Sequence, residues 1–143
     1  MTTRSQDWPI LLNDALMAAS ERPFSWGRHD CCLFAADIVR AMTGEDAAAP
    51  FRGRYGTKRG AMRALKAFAG GGLPEAVRAI AKHHGWEELS PVALAGRGDL
   101  AMLDTEDGPS LAICIGSRVA MAARDGGVAF LPLGSCYAAW RIP

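Results

Sequence analysis

At 143 residues the chain is long enough to bury one real core and too short for two ordinary domains. Half of its residues are hydrophobic and 22% are charged, which excludes a disordered chain. A net charge of +1, with no basic run longer than Lys58-Arg59, argues against nucleic-acid binding.

The first half reads as helical. Trp8, Leu12, Ala15, Leu16 and Ala19 recur at helical spacing, with Asp7 as the expected N-cap and Pro9 in the first turn. Arg22-Pro23 should end this helix, because proline disfavours the helical conformation in the residue before it. A second helix is predicted to begin at Asp30, whose carboxylate can cap the free N–H groups of the first turn. From Cys31 to Met42 only Asp37 and Arg40 are charged, the pattern of a buried helix, and Gly44 supplies its stop. After a loop over 45–56, Thr57 should cap a third helix with Ala61, Met62, Leu65, Phe68 and Ala69 on one face. Gly70-Gly71-Gly72 ends it, and Pro74 opens a fourth helix with Val77, Ile80, Ala81 and His84 on a face, closed by Gly85.

The second half changes character. Apolar runs over 99–103, 111–115, 118–122, 128–131 and 137–142 are separated by Asp107-Gly108, Gly116-Ser117, Asp125-Gly126-Gly127 and Gly134, the punctuation of hairpins. Helices first and a meander second predict a single α+β domain over 1–143, with N-terminal helices and a buried central helix packed on an antiparallel sheet of about five strands.

No uninterrupted apolar stretch approaches about 18 residues, so no membrane insertion is expected. The polar start, Met1 to Asp7, does not read as a signal peptide. The expectation is a protein made in the cytoplasm and kept there or carried out within a larger assembly. Cys31, Cys32, Cys114 and Cys136 fit no zinc spacing, and no metal or cofactor is expected. Cys32, Cys114 and Cys136 read as reduced, apolar thiols.

The segment from Pro23 to Leu33 carries the chemistry. A cysteine in the first turn of a buried helix has its thiolate favoured by the helix dipole and by free backbone N–H groups. A base within reach must come from elsewhere in the chain.

Trp26-Gly27 followed by Asp30-Cys31 resembles the nucleophile segment of the NlpC/p60 papain-like cysteine peptidases, where Trp-Gly-Gly precedes Asp-Cys-Ser-Gly. Gly98-Asp99-Leu100 is similar to that family's Gly-Asp-Leu strand start, and Ser110 to Gly116 to its His-Val-Gly-Ile-Tyr-Ile-Gly strand. Order and rough spacing agree over residues 23–123. The resemblance implies a papain-like fold, with Cys31 at the nucleophile position and Ser110 at the position of the catalytic histidine. The residue that would orient that histidine falls in Met121-Ala122-Ala123, which offers no side-chain acceptor. A serine hydroxyl is no general base near pH 7, and losing the imidazole costs about 10²–10⁴ in rate. His29, two residues before Cys31, is a weak alternative base and reads more readily as an exposed loop residue; His83 and His84 end the fourth helix. Alternation along the strand should set Ser110, Ala112 and Cys114 on one face, with Ser110 towards the first turn of the Cys31 helix.

Trp26, Asp30, Cys31, Gly98, Asp99 and Ala139-Trp140-Arg141 also resemble uncharacterised proteins encoded in phage and prophage tail-gene clusters. The resemblance implies a non-catalytic structural or adaptor component of a phage-like tail tip, with neighbouring tail or hub proteins as partners. The alternative is a cysteine peptidase or amidase cleaving peptidoglycan stem peptides with Cys31 as nucleophile. An acyltransferase using the same thiol is a third reading. Trp26 and Trp140 read as core or interface anchors before groove residues. Arg52, Arg54, Lys58, Arg59 and Arg63 read as a solvated basic face before an acidic-partner site.

Overall fold

In the computed structural model, which describes residues 3–143, four helices precede six antiparallel strands. Helix α1 (Trp8–Ser20) buries Leu12 and Ala19, the centre of its predicted stripe. Asp7 stands at its N-cap but makes no side-chain bond there. The reason lies in its backbone: φ −93° and ψ 18° are turn-like, whereas a capping side chain needs the extended conformation.

Helix α2 (Cys31–Thr43) buries Leu33, Phe34, Ala35, Ala36, Ile38, Val39 and Met42, and ends on left-handed Gly44. Helix α3 (Lys58–Ala69) is capped by Thr57, which accepts from the Gly60 N–H, and α4 (Leu73–His84) ends at Gly85. The predicted face of α3 needs correction. Met62 and Phe68 are 62% and 42% exposed, and the side chains packed inwards include Ala61, Ala64 and Leu65. This helix leans on α4 and on the loop around Ala48 and Phe51 instead of on the sheet, so it buries a narrower stripe.

The strands are β1 (Glu87–Leu89), β2 (Leu100–Thr105), β3 (Gly108–Cys114), β4 (Arg118–Ala122), β5 (Val128–Pro132) and β6 (Ala138–Arg141). Their order is β1-β6-β2-β3-β4-β5, giving six strands where about five were expected. The addition is β1, whose exposed Glu87 and Glu88 hide a strand that exists through its pairing with Arg141 and Trp140 of β6.

One face of the sheet, with Leu100, Met102, Leu111, Ile113, Ala120 and Trp140, packs on α2 through Phe34, Ile38 and Met42. Trp140 is thus a core anchor. The other face, with Ala101, Leu103, Ala112, Cys114 and Ala139, packs with Leu89, Val92, Ala95, Leu133 and Cys136. Among the described residues no helix is long and apolar enough to cross a membrane.

The Gly98-Asp99 landmark and the Trp140-Arg141 ending meet at one buried carboxylate. Asp99 accepts from Arg4 Nη2 at 2.7 Å, from the Gly96 N–H at 2.8 Å and from the Ile142 N–H at 3.1 Å, with Arg141 Nε at 3.4 Å. Gly98 has φ +91°, and a Cβ there would collide with the Arg4 guanidinium. Removing one partner of a buried pair leaves the other uncompensated, at a cost of about 3–5 kcal/mol. Asp99→Ala should therefore lower the unfolding free energy by roughly that amount, read from the midpoint and slope of a urea titration. An unchanged midpoint would contradict this role.

Candidate functional site

Asp30 sets the geometry of the site. Its Oδ1 accepts from the Leu33 N–H at 2.9 Å, the predicted cap, while Oδ2 accepts from the Gly27 N–H at 3.0 Å and from the Tyr55 hydroxyl at 2.6 Å. Gly27 has φ +82°, and its missing Cβ would run into the Tyr55 carbonyl. The Gly27 carbonyl in turn accepts from the Gly53 N–H at 3.0 Å. The Trp26-Gly27 turn, the start of α2 and the loop over 53–55 are thereby fixed as one unit.

Cys31 occupies the first turn of α2 and is partly exposed. Its sulfur lies 3.7 Å from that of Cys32, and all four cysteines are free thiols. The Cys31 thiol is lowered to about 7. The hydrogen bond with Cys32 contributes most, burial opposes it, and the Ser110 hydroxyl and Leu111 N–H add to the lowering; the Asp30 charge raises it. Cys32 moves the other way, raised by its bond to Cys31 and by burial. Burial pushes the Cys114 and Cys136 thiols up as well, Cys136 to about 11.

Register puts Ser110 opposite Leu103, on the face of Ala112 and Cys114, while Leu111 and Ile113 face α2. Ser110 is nevertheless among the groups that lower the Cys31 thiol, and the sheet is open at this point. Strand β4 pairs with β3 only at Ile113–Ala120 and Cys114–Val119, and its later residues pair with β5 alone. The Leu111 N–H, which β4 leaves unclaimed, is among the groups that lower the Cys31 thiol.

No histidine is among the groups that shift the Cys31 thiol. His29, expected at the surface, is buried to 2% exposure, its ring edge-on to Phe34 and neither nitrogen hydrogen-bonded. Burial, then the Arg22 charge, lowers its pKa. It packs against the α2 side chain Phe34 and makes no hydrogen bond to Cys31. The polar neighbours Arg28 and Asp30 concealed this, since the packing is tertiary. His84 lies 3.3 Å from Glu45 and stacks on Trp86, and His83 is edge-on to His84.

Cys31, Cys32 and Ser110 line a cleft of about 1180 Å³ between the α3–α4 pair and the β2–β3 hairpin. At its mouth Phe24 and Trp26 pack edge to face at 5.0 Å, and the Arg124 guanidinium lies over both rings. Arg124 and Lys58 both pair with Asp107 across the opening. Met121, Ala122 and Ala123 line the cleft too, in the place where the resemblance puts an orienting residue. Of the basic stretch, Arg52 is committed to Asp37 and Asp46. Tyr55, Cys32 as a donor, the Leu111 N–H and Arg124 were not foreseen. Only the adjacency of Cys32 to Cys31 carried a signal in the sequence. Among the described residues no group of three or more His, Cys, Asp or Glu could hold a metal ion. Chemically the site favours ionisation of the Cys31 thiol.

The family model of DUF6950, a domain of unknown function, matches residues 3–142, and the chain belongs to that family. No curated protein matches it.

Because the thiolate is the reactive form, the rate of Cys31 alkylation should rise with pH around a midpoint near 7. Cys32→Ala should move the midpoint up further than Ser110→Ala does, since the Cys32 bond is the larger cause. Iodoacetamide labelling with peptide mass spectrometry gives the profile. A wild-type midpoint in the ordinary thiol range of about 8.5 would contradict the assignment.

Proposed function

We propose that this chain is a non-catalytic NlpC/p60-like domain serving as a structural or adaptor component of a phage-like tail tip. One observation carries the non-catalytic part of the reading: the side chain beside the Cys31 sulfur at the base position is the Ser110 hydroxyl. Cleaving an amide requires a proton to reach the leaving nitrogen, and a shuttling imidazole ordinarily supplies it. Ser110 can donate a hydrogen bond to a thiolate, but an aliphatic hydroxyl is not a general acid–base shuttle near neutral pH. His29, the other candidate base, is buried against Phe34. The adaptor role and the tail-tip setting rest on the resemblance in residues 23–33, 98–100 and 139–141.

The lowered Cys31 thiol favours a second reading, a cysteine peptidase or amidase acting on peptidoglycan stem peptides. In it Cys31 attacks the peptide carbonyl, and the proton for the departing amine comes from a group outside the matched positions.

Incubation with stem peptides followed by mass spectrometry separates the two. The expected outcome is no product above background, from wild type or from Cys31→Ala. Cleavage by wild type that vanishes in Cys31→Ala would establish the second reading. As an adaptor, the Cys31→Ala protein should co-purify with neighbouring tail proteins as well as wild type does. Absence of both proteins from assembled tails would remove the tail-tip role.

A further inference from the structure

Two thiols stand side by side at the start of α2. Cys31 and Cys32 are both partly exposed, both line the cleft, and their sulfurs are 3.7 Å apart as free thiols. Cys114 and Cys136 are buried in the cluster on the sheet face away from α2. An oxidant entering the cleft therefore meets a dithiol.

The pair is unequal. The bond between the two lowers the Cys31 thiol and raises that of Cys32. Cys31 is thus the thiol that reacts first, because the thiolate is the nucleophile. Oxidising its sulfur removes two of the causes that keep Cys32 protonated, the bond to Cys31 and the Cys31 charge.

Neighbouring residues make a strained disulfide. Bridged residues ordinarily have Cα atoms about 4.4–6.8 Å apart, against about 3.8 Å for neighbours along a chain. On a helix their side chains also diverge by roughly 100° around the axis. Closing the sulfurs from 3.7 Å to a bond of about 2.05 Å requires the 31–32 peptide to leave the helical conformation. Strain of this kind makes a disulfide easy to reduce again, which suits regulation and not structure. It also falls on the bonds that hold the first turn, from the Leu33 N–H to Asp30 Oδ1 at 2.9 Å and from the Phe34 N–H to the Asp30 carbonyl at 2.8 Å. Asp30 links that turn to Gly27 and Tyr55.

We propose that Cys31 and Cys32 form a reversible redox switch, closed by a hydroperoxide and reopened by a dithiol, whose closure unwinds the first turn of α2. The Cys31 thiolate attacks one peroxide oxygen and the O–O bond breaks. The departing oxygen takes up a proton and leaves as water or an alcohol, and Cys31 becomes a sulfenic acid. The Cys32 sulfur then attacks that of Cys31, and the expelled hydroxyl leaves as water with the Cys32 proton. The peroxide has taken two electrons. An external dithiol returns them by thiol–disulfide exchange and is itself oxidised to a disulfide. This goes beyond the adaptor reading and is independent of it, because it uses neither a partner protein nor peptide cleavage.

Peptide mapping of the full chain tests it. Trypsin cuts after Arg28 and Arg40, which leaves Cys31 and Cys32 together in one peptide without the other cysteines. After brief exposure to hydrogen peroxide, that peptide should be lighter by two hydrogens and regain them in dithiothreitol. Cys114 and Cys136 should react at least about tenfold more slowly. In Cys32→Ser, dimedone should trap the sulfenic acid at Cys31, and Cys31→Ser should give neither product. Hydrogen exchange of the 31–34 amides in wild type should quicken by at least about tenfold on oxidation and return on reduction. Sulfinic acid at Cys31, or a dimer through an intermolecular disulfide, in place of the lighter peptide overturns the proposal. So does a lighter peptide that dithiothreitol leaves unchanged, or ring closure with amide exchange unaltered.

Discussion

The carboxylate of Asp30 ties three separate stretches of chain to one point: the first turn of α2 through Leu33, the Trp26-Gly27 turn through its N–H, and the 53–55 loop through Tyr55. Among side chains that cap helices, an ionised carboxylate has the most acceptor sites to share, about four lone pairs over two oxygens. Serine or threonine could satisfy Leu33 but would have little left for Gly27 and the buried end of Tyr55. Burial and this bond raise the phenol of Tyr55, so it stays a donor. The arrangement places Cys31 at the sheet opening, and it also works against the thiolate, since the Asp30 charge raises the Cys31 pKa. The outcome is still a lowered thiol. The bond with Cys32, with the Ser110 hydroxyl and the Leu111 N–H adding to it, outweighs burial and the Asp30 charge.

What could be read from the sequence was what is decided locally. The Asp30 and Thr57 caps, the glycine stops of α2, α3 and α4, and five of the strands follow from neighbouring residues and from hydrophobic period. The failures are cases where distant residues decide. Strand β1 is three residues with two exposed glutamates, and only β6 makes it a strand. His29 lies between charged neighbours yet is enclosed against Phe34. Met62 and Phe68 fit a helical stripe, but α3 has no sheet to press them into. Of the site, the positions of Cys31 and Asp30 were legible; alternation grouped Ser110 with Ala112 and Cys114, but the strand face turned to α2 is that of Leu111 and Ile113. The donors that set the thiol were not legible, because the Leu111 N–H becomes available only where β4 leaves β3.

The landmark residues also divide into two groups with different work. Gly98, Asp99 and Arg141 meet Arg4 at a corner that contributes nothing to the cleft, and Trp140 is buried in the core. Gly27 and Asp30 hold the cleft's rim. Substitutions at the cleft can therefore change its chemistry without touching the residues that hold the Asp99 corner. The cleft beside the thiol is lined in part by alanines at 35, 36, 47, 48 and 76.

The Arg4 guanidinium donates to the Ile142 carbonyl at 2.7 Å as well as to Asp99, which fastens the two ends of the described chain side by side. Arg4, Trp8, Arg97 and Ile142 form that corner, and none of them lines the cleft. Any polypeptide continuing from either end would depart from the same spot. The domain could accordingly be spliced into a surface loop of a larger host protein, both junctions entering and leaving together, with its cleft left unobstructed by the attachment.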